Sequence, residues 1–306
     1  MKKDLLTIGQ LSAKEIQDIF SLTAKMKNAP QAYKSVLQGK SLALIFQKPS
    51  TRTYVSFYVG MFELGGTALY LGPDQIKLGE RETVHDVAKT LSRYVSGIVL
   101  RTFAHQTVID MAAFADVPVI NGLSDYSHPC QALADLFTIR EKFGSFKNIT
   151  MAYVGDGNNV CNSLIAVCAK VGLHLNIATP KGYEPDKGVM RMARVVANQS
   201  GSRIRLFDNA EKASVGADVL YTDVWASMGQ ETEANKRKKV FKAFQLNSKL
   251  ARLANKGALI MHCLPAHRGE EISDEVIDGP NSIVFDEAEN RLHVQKAILV
   301  KLLNNS

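Results

Sequence analysis

The sequence predicts an α/β fold of two doubly wound parallel-sheet domains. Short apolar runs alternate with helical patterns along the whole 306-residue chain, and strands that alternate with helices build parallel sheets from βαβ units. A chain of this length is long for one domain, so two packed units are expected. The hydrophobic content of 46% supplies enough apolar material for two cores.

The candidate strands fall into two series along the chain. The first series comprises Ser41–Phe46, Thr67–Leu71, Gly97–Leu100 and Val117–Ile120. The second comprises Ile149–Val154, His174–Ala178, Arg203–Phe207, Val219–Thr222, Ala258–His262 and Ser282–Phe285. Because each run is short and lies between helical patterns, we interpret them as strands of two parallel sheets.

Helices are predicted where apolar residues recur at positions i, i+3, i+4 and i+7. Three such sets are Val55, Tyr58, Val59 and Phe62; Val84, Val87, Ala88 and Leu91; and Leu164, Val167, Cys168 and Val171. Pro129–Phe143 also has a helical pattern and ends at Gly144, which indicates a boundary between domains. A final helix is predicted from Glu287 to Leu303.

The composition argues against several classes of protein. No apolar run approaches the roughly 18 residues of a membrane span, and Met1–Thr7 lacks the features of a secretory or transit signal. We therefore predict a cytoplasmic protein with no membrane partner. The four cysteines include no CxxC pair, so they predict neither a disulfide framework nor a structural zinc site.

The net charge of +7 comes from basic residues that are spread along the chain. The one basic run, Lys236–Lys239, lies in a helical pattern, and we interpret it as a solvated face. We predict no nucleic-acid partner. A modest positive charge suits an enzyme whose substrates carry phosphate and carboxylate groups.

Reactive side chains directly follow several of the predicted strands. In open α/β sheets, ligands bind beyond the carboxyl ends of the strands. The residues in such positions are Ser50, Thr51, Arg52, Thr53, Arg101, His128, Gln131, Asn158, Asn159, Asp223 and Cys263. Because they come from both series of strands, we predict one active site in the cleft between the two domains.

The segment Ser50–Thr53 opens the helix after the first strand. A helix N-terminus binds anions through its backbone N–H groups, and Arg52 could hold a phosphate in a bidentate manner. The alternative is a capped helix with a solvated arginine. Arg101 could be a surface arginine, although a cation at the end of a buried strand needs an anionic partner. His128 could be a loop histidine that bonds only to the backbone.

Three segments of the second series have two interpretations. Gly155–Asn159 resembles half of a dinucleotide fingerprint, but Val160 stands where the third glycine would fall and no ribose-binding acid follows. Asp223 either caps a helix or pairs with a substrate ammonium group. Cys263 is either a buried apolar side chain or a polar contact to a substrate amine.

Together, these segments resemble the aspartate/ornithine carbamoyltransferase family. Ser-Thr-Arg-Thr at 50–53, His-Pro-Cys-Gln at 128–131 and His-Cys-Leu-Pro at 262–265 are similar to its carbamoyl-phosphate and amine sites. The segment 223–229, Asp-Val-Trp-Ala-Ser-Met-Gly, resembles the one that recognises ornithine. The resemblance implies two domains joined by two helices. Residues 1–144 with the C-terminal helix 288–306 would bind carbamoyl phosphate, and residues 145–287 would bind L-ornithine.

The resemblance also implies roles for individual residues. The phosphate would be held by Ser50, Thr51, Arg52, Thr53, Arg101 and Arg291. The carbonyl oxygen would face Thr53, Arg101 and His128, and the carbamoyl amide would bind Gln131 and the backbone at Cys263 and Leu264. Ornithine would be bound by Asn159, Asp223, Ser227 and Met228. The catalytic residues would be Arg101, His128, Asp223 and Cys263.

The implied reaction is direct transfer of the carbamoyl group to the δ-amine of ornithine, with no cofactor and no metal. The implied assembly is a homotrimer or a multiple of trimers, in which Gln75 or Lys77 of the loop 72–82 reaches a neighbouring subunit's site. Three alternatives stay open. They are a carbamoyltransferase for putrescine or another amine, a nicotinamide-dependent oxidoreductase, and a basic nucleic-acid-binding module.

Overall fold

The computed structural model describes residues 3–226, 229 and 231–304. The chain divides into two compact units, one formed by Met1–Phe137 with Glu289–Ser306 and the other by Thr138–Ala288. Both boundaries fall inside helices. No helix in these described ranges is long and apolar enough to span a membrane.

The first unit contains a four-stranded parallel sheet. Its strands are β1 (Ser41–Phe46), β2 (Thr67–Leu71), β3 (Gly97–Arg101) and β4 (Val119–Leu123). Its helices are α1 (Ala13–Asn28), α2 (Thr51–Glu63), α3 (Pro73–Ile76), α4 (Val84–Leu91) and α5 (His105–Phe114), and α6 (Pro129–Phe143) begins in it. The four predicted strands are confirmed. The last strand starts two residues later than predicted and includes Asn121. The Asn121 side chain is buried, and its amide donates a hydrogen bond to the Leu6 carbonyl.

The second unit contains a five-stranded parallel sheet. Its strands are β5 (Thr150–Val154), β6 (His174–Ala178), β7 (Ile204–Phe207), β8 (Val219–Thr222) and β9 (Leu259–His262). Its helices are α7 (Asn159–Val171), α8 (Lys187–Ser200), α9 (Ala210–Ser214), α10 (Ala234–Phe241), α11 (Ser248–Ala251) and α12 (Asp274–Ile277), and α13 (Val284–Leu303) begins in it.

The tenth predicted strand, Ser282–Phe285, is wrong. Ser282 makes only an isolated bridge to Ile260, and the chain then enters α13 at Val284. Val284 and Glu287 are both buried whereas Phe285 is 71% exposed, and this i, i+3 spacing of buried residues is that of a helix. Acidic residues in the first turn of α13 favour this earlier helix start.

The strand order places a topological switch point in each sheet. The first sheet has the order β2-β1-β3-β4, so the chain leaves β1 toward one edge and β3 toward the other. The second has the order β7-β6-β5-β8-β9, and its chain diverges in the same way between β5 and β8. The loops at the carboxyl ends of such a strand pair separate and leave a crevice for ligands. The residues after β1, β3, β5 and β8 are therefore the ones that each sheet presents to a ligand.

Helix α2 was predicted correctly, but the apolar stripe that predicted it is not its buried face. Val55, Tyr58 and Phe62 are 45%, 46% and 75% exposed. The buried face instead contains Phe57 and Met61 with small residues, of which Gly60 lies against side chains of α13. The i, i+3, i+4 pattern therefore marks an apolar surface of the first unit rather than a core face.

Gly157 is required for close packing of two loops of the second unit. A Cβ on this residue would lie 2.3 Å from the Pro185 nitrogen and 2.4 Å from the Glu184 carbonyl carbon, both backbone atoms. The glycine that suggested a dinucleotide fingerprint is thus explained by the approach of residues 183–185. We expect Gly157→Ala to lower the free energy of unfolding by about 3 kcal/mol, because overpacking strains the backbone.

Gly182→Ala provides the control for this prediction. Gly182 has a φ of +88°, but a Cβ on this residue would meet no atom within 4 Å, so only the backbone conformation is strained, at about 1 kcal/mol. Denaturant unfolding of the two variants should separate these effects. Equal losses would contradict the packing explanation for Gly157.

Candidate active site

A first polar cluster lies at the switch point of the first unit and comprises Ser50–Thr53, Arg101, His128, Gln131 and Arg291. Ser50 is the N-cap of α2, and its hydroxyl oxygen accepts from the Thr53 N–H at 3.3 Å. The capping interpretation is therefore correct, and it is compatible with anion binding. Arg101 is the last residue of β3 and is buried. The first N–H groups of α2 and this arginine thus occupy the two diverging strand ends.

Arg291 in α13 joins this cluster from the far end of the sequence. Its guanidinium donates to the Gln131 side-chain oxygen and, at 3.2 Å, to the Thr53 hydroxyl. Thr53, Gln131 and Arg291 are all buried. Three residues that were predicted separately are therefore in direct contact.

His128 is surrounded by positive charge. Burial lowers the pKa of His128 well below its ordinary value, and Arg291, Arg101 and Arg52 lower this pKa further. The ring is therefore neutral near neutral pH and can donate one hydrogen bond without adding a further charge. Three arginines and a helix N-terminus make this cluster suitable for a multiply charged anion.

A second polar cluster lies at the switch point of the second unit and comprises Asn158, Asn159, Asp223 and Cys263. The Asp223 carboxylate accepts from the Cys263 thiol at 3.0 Å and from the Asn158 amide at 2.7 Å. Asp223 does not cap a helix, and it is buried at the end of β8. An acid in this position can pair with a substrate ammonium group.

Asn158 was predicted to lie at the site but was given no role, and its side chain contacts both Asp223 and the start of α7. Its side-chain oxygen caps α7 by accepting from the Val160 and Cys161 N–H groups, while its amide donates to Asp223. Asn159, the residue predicted to bind the substrate, is the first residue of α7 and is also buried. Ser227 and Met228 lie outside the described residues.

Arg237 supports the segment that follows Asp223. Its guanidinium donates to the Asp156 carboxylate and to the Trp225 carbonyl, both at 2.8 Å. The prediction of a solvated basic face at 236–239 is therefore wrong for this residue, which is buried against the rings of Tyr183 and Phe241. The sequence of a basic run does not show which of its side chains is buried in an ion pair with an acid that is distant in sequence.

Asp156 gives the second unit a stability that depends on pH. Burial raises the pKa of Asp156 to about 6 from 3.8, although Arg237 opposes this shift. The folded state therefore holds the proton more tightly, so the contribution to unfolding free energy is fully present below about pH 3.8 and is lost as pH rises through about 6. About 1.4 kcal/mol per pKa unit gives roughly 3 kcal/mol over this window.

We expect Asp156→Asn to remove this pH dependence. The difference in unfolding free energy between wild type and variant should change by about 2 kcal/mol between pH 4 and 7, the wild type losing stability relative to the variant. Denaturant unfolding of both proteins at several pH values measures the difference. Parallel pH profiles would show that Asp156 does not titrate in this window.

His262 holds the turn after β9 and is not available as a metal ligand. In the described part of the chain, Asp223, His262 and Cys263 bring ligand atoms within 4.8 Å of one another. However, the His262 Nδ1 accepts from the Leu264 N–H at 2.8 Å, and Nε2 lies 3.0 Å from the Glu271 carboxylate. Both ring nitrogens are used, so this trio does not form a three-ligand site.

A cationic cluster at the switch point of one parallel sheet and a buried carboxylate at that of the other suit an enzyme with an anionic substrate and an amine substrate. The chain matches two family models over most of its length. Residues 3–141 match the carbamoyl-P binding domain of aspartate/ornithine carbamoyltransferase, and residues 147–302 match its Asp/Orn binding domain. The chain belongs to the aspartate/ornithine carbamoyltransferase family.

Individual relatives are similar over nearly the full length. The ornithine carbamoyltransferase of Pyrococcus horikoshii is 55% identical over 304 residues, which cover 98% of this chain and 96% of that protein. The anabolic ornithine carbamoyltransferase of Pyrococcus furiosus is 53% identical, with the same shares covered. A solved structure of ornithine carbamoyltransferase from Pyrococcus furiosus has a TM-score of 0.96 at 51% identity and covers 99% of this chain and 97% of its own.

Proposed function

We propose that this enzyme transfers the carbamoyl group of carbamoyl phosphate to the δ-amine of L-ornithine and releases L-citrulline and phosphate. The observation that carries this proposal is Asp223, a buried acid at the switch point of the unit that matches the Asp/Orn binding domain. A buried carboxylate suits a substrate amine, whereas a substrate with a second carboxylate, such as aspartate, would need a basic group there.

The first polar cluster supports the binding of carbamoyl phosphate. We assign the phosphate to Ser50, Thr51, Arg52, Thr53, Arg101 and Arg291. The contacts of Arg291 with Thr53 and Gln131 orient its guanidinium from two sides. Thr53, Arg101 and the neutral His128 would donate to the carbonyl oxygen, while Gln131 and the backbone at Cys263 and Leu264 would bind the carbamoyl amide.

The second polar cluster supports the binding of ornithine. Asn159 would bind the α-carboxylate together with Ser227 and Met228. Asp223 and Cys263, joined by their hydrogen bond of 3.0 Å, would contact the amino groups, including the reacting δ-amine. Asn158 fixes the carboxylate of Asp223 from its other oxygen and so limits the orientations that the carboxylate can adopt.

The chemical step follows from these contacts. The neutral δ-amine attacks the carbamoyl carbon, a C–N bond forms, and the bond between this carbon and the phosphate oxygen breaks. The oxyanion that develops on the carbonyl is stabilised by Thr53, Arg101 and His128. The departing phosphate carries the electron pair and stays with the arginines, and the amine releases one proton. Positioning and electrostatics supply the rate enhancement, so no covalent intermediate is needed.

We extend this proposal to the assembly of the enzyme, the roles of its domains, its location and its pathway. Val55, Tyr58 and Phe62 form an exposed apolar stripe on α2, and Leu69 of β2 is also exposed. Exposed apolar surfaces mark contacts with other chains. We propose that this surface joins subunits of a homotrimer in which the loop 72–82 reaches a neighbour.

Residues 1–144 with 288–306 would form the carbamoyl-phosphate domain, and 145–287 the ornithine domain. We further propose a cytoplasmic enzyme of arginine biosynthesis, since one relative is named as anabolic.

Purified protein given carbamoyl phosphate with ornithine, putrescine or aspartate in turn tests the activity. We expect citrulline from ornithine and little product from the other two amines. A carbamoylated putrescine formed at a higher kcat/KM than citrulline would replace the proposed acceptor. Absence of product from every amine would reject the function.

A further inference from the structure

The turn Cys263–Ala266 after β9 is tied together at its two ends by one carboxylate oxygen. Glu271 Oε1 accepts from the ring Nε2 of His262 at 3.0 Å and from the backbone N–H of His267 at 2.5 Å. His262 and Glu271 are both fully buried. A single oxygen therefore links the residue before the turn to the residue after it.

The other ring nitrogen of His262 reaches into the turn itself. Nδ1 accepts from the Leu264 N–H at 2.8 Å. A backbone N–H can only donate, so Nδ1 carries no proton and the ring proton lies on Nε2, directed at Glu271. The Glu287 carboxylate also accepts from the His262 backbone N–H at 3.0 Å, and this bond restrains the backbone of His262. We call the pair formed by His262 and Glu271 the His262–Glu271 clip.

Leu264 has a backbone conformation that needs such support. Its φ is +55°, in the left-handed region that branched residues rarely adopt. The hydrogen bond from its N–H to the imidazole restrains the peptide on the N-terminal side of this residue. Because φ and ψ of Leu264 set the direction of its carbonyl, this restraint also limits where the carbonyl oxygen points.

We propose that His262 and Glu271 are positioning residues, which hold Leu264 so that its carbonyl oxygen accepts a hydrogen bond from the carbamoyl amide. This inference rests on the proposed function. The clip itself touches no substrate, since both nitrogens of the ring are used within the protein. It acts on the rate because a displacement of a reacting group by about 1 Å costs roughly 100-fold in turnover.

Two variants of His262 separate the two ring nitrogens. Asparagine places an oxygen near the position of Nδ1, so His262→Asn keeps an acceptor for the Leu264 N–H. Glutamine places an amide nitrogen near Nε2, so His262→Gln keeps only the bond to Glu271. We expect His262→Gln to lower kcat about 100-fold and His262→Asn to lower it by less than about 10-fold.

The inhibition constant of inorganic phosphate against carbamoyl phosphate serves as the second readout. Phosphate binds the first polar cluster, so this constant should stay within about twofold in both variants while kcat separates them. Glu271→Ala keeps the Nδ1 acceptor but removes the carboxylate that fixes the ring tautomer and binds the His267 N–H, so its kcat should fall between those of His262→Asn and His262→Gln. His174→Gln, at the opposite end of the same sheet, is the control and should retain wild-type kcat.

The inference is overturned if His262→Gln and His262→Asn have equal kcat, or if phosphate inhibition weakens in parallel with kcat, since a general structural role would produce either result. Failure of the proposed function has a different signature. In that case, the wild-type protein itself forms no citrulline, and the variants have no activity to compare.

Discussion

Arg52→Ala is expected to lower kcat/KM for carbamoyl phosphate by about 100- to 1,000-fold, the range found when one preorganised donor to a developing charge is removed. Arg52 follows the N-cap of α2 and is close enough to His128 to influence its pKa. It is partly exposed, so its loss leaves no buried cavity. Steady-state kinetics measure the expected loss of kcat/KM, and circular dichroism checks that the variant is folded.

Two matched variants sharpen this test. Arg52→Lys keeps the charge but removes the planar pair of donors, so activity should stay well below that of the wild type. Arg93→Ala removes an exposed arginine from the segment just before β3, at the opposite end of that strand from Arg101, and should have no effect on kcat/KM. An unfolded Arg52→Ala variant would instead support a purely structural role for this arginine.

Asp223→Asn is expected to lower kcat/KM for ornithine by about 100- to 1,000-fold, because a neutral amide cannot pair with the amine as a carboxylate does. Asparagine nearly matches the shape of aspartate, so the contact with Asn158 can be retained after rotation of an amide. The inhibition constant of inorganic phosphate should not change, since phosphate is assigned to the first polar cluster.

Asp218→Asn is the matched control for this variant. Asp218 lies just before β8, whereas Asp223 follows it, and its carboxylate accepts from the Thr150 N–H and the Asn255 amide. The two acids thus stand at opposite ends of one strand. If Asp218→Asn lowered ornithine turnover as much as Asp223→Asn, the loss would come from a general disturbance of the sheet, and the specific role of Asp223 at the carboxyl end of β8 would be contradicted.

Most of the fold could be predicted from the sequence because parallel strands are buried and read as short apolar runs. This is why β1, β2, β6 and β8 have the predicted bounds. The apolar run at Ser282–Phe285 was misleading because so few residues cannot distinguish a strand from the first turn of a helix. The apolar stripe of α2 was misleading because periodicity identifies an apolar face without saying what covers it.

The candidate site could be predicted in part because its residues directly follow strands. The rule holds for Arg101 and Asp223, and for Ser50 at the start of α2. Residues that support the site from elsewhere escaped prediction. Arg237 meets Asp156 across 81 positions, and Glu271 reaches His262 only through the folded turn. Nothing in local sequence specifies such partners, because their pairing depends on the three-dimensional path of the chain.

The position of Arg291 in α13 has a consequence for biosynthesis on the ribosome. The cluster that contains Thr53 and Gln131 gains this guanidinium only after the chain has been synthesised past residue 291. By then the whole second unit, 138–288, has already been synthesised. The anion site built around the earliest strands is thus completed last, so a nascent or prematurely terminated chain cannot bind its anion as the finished enzyme does.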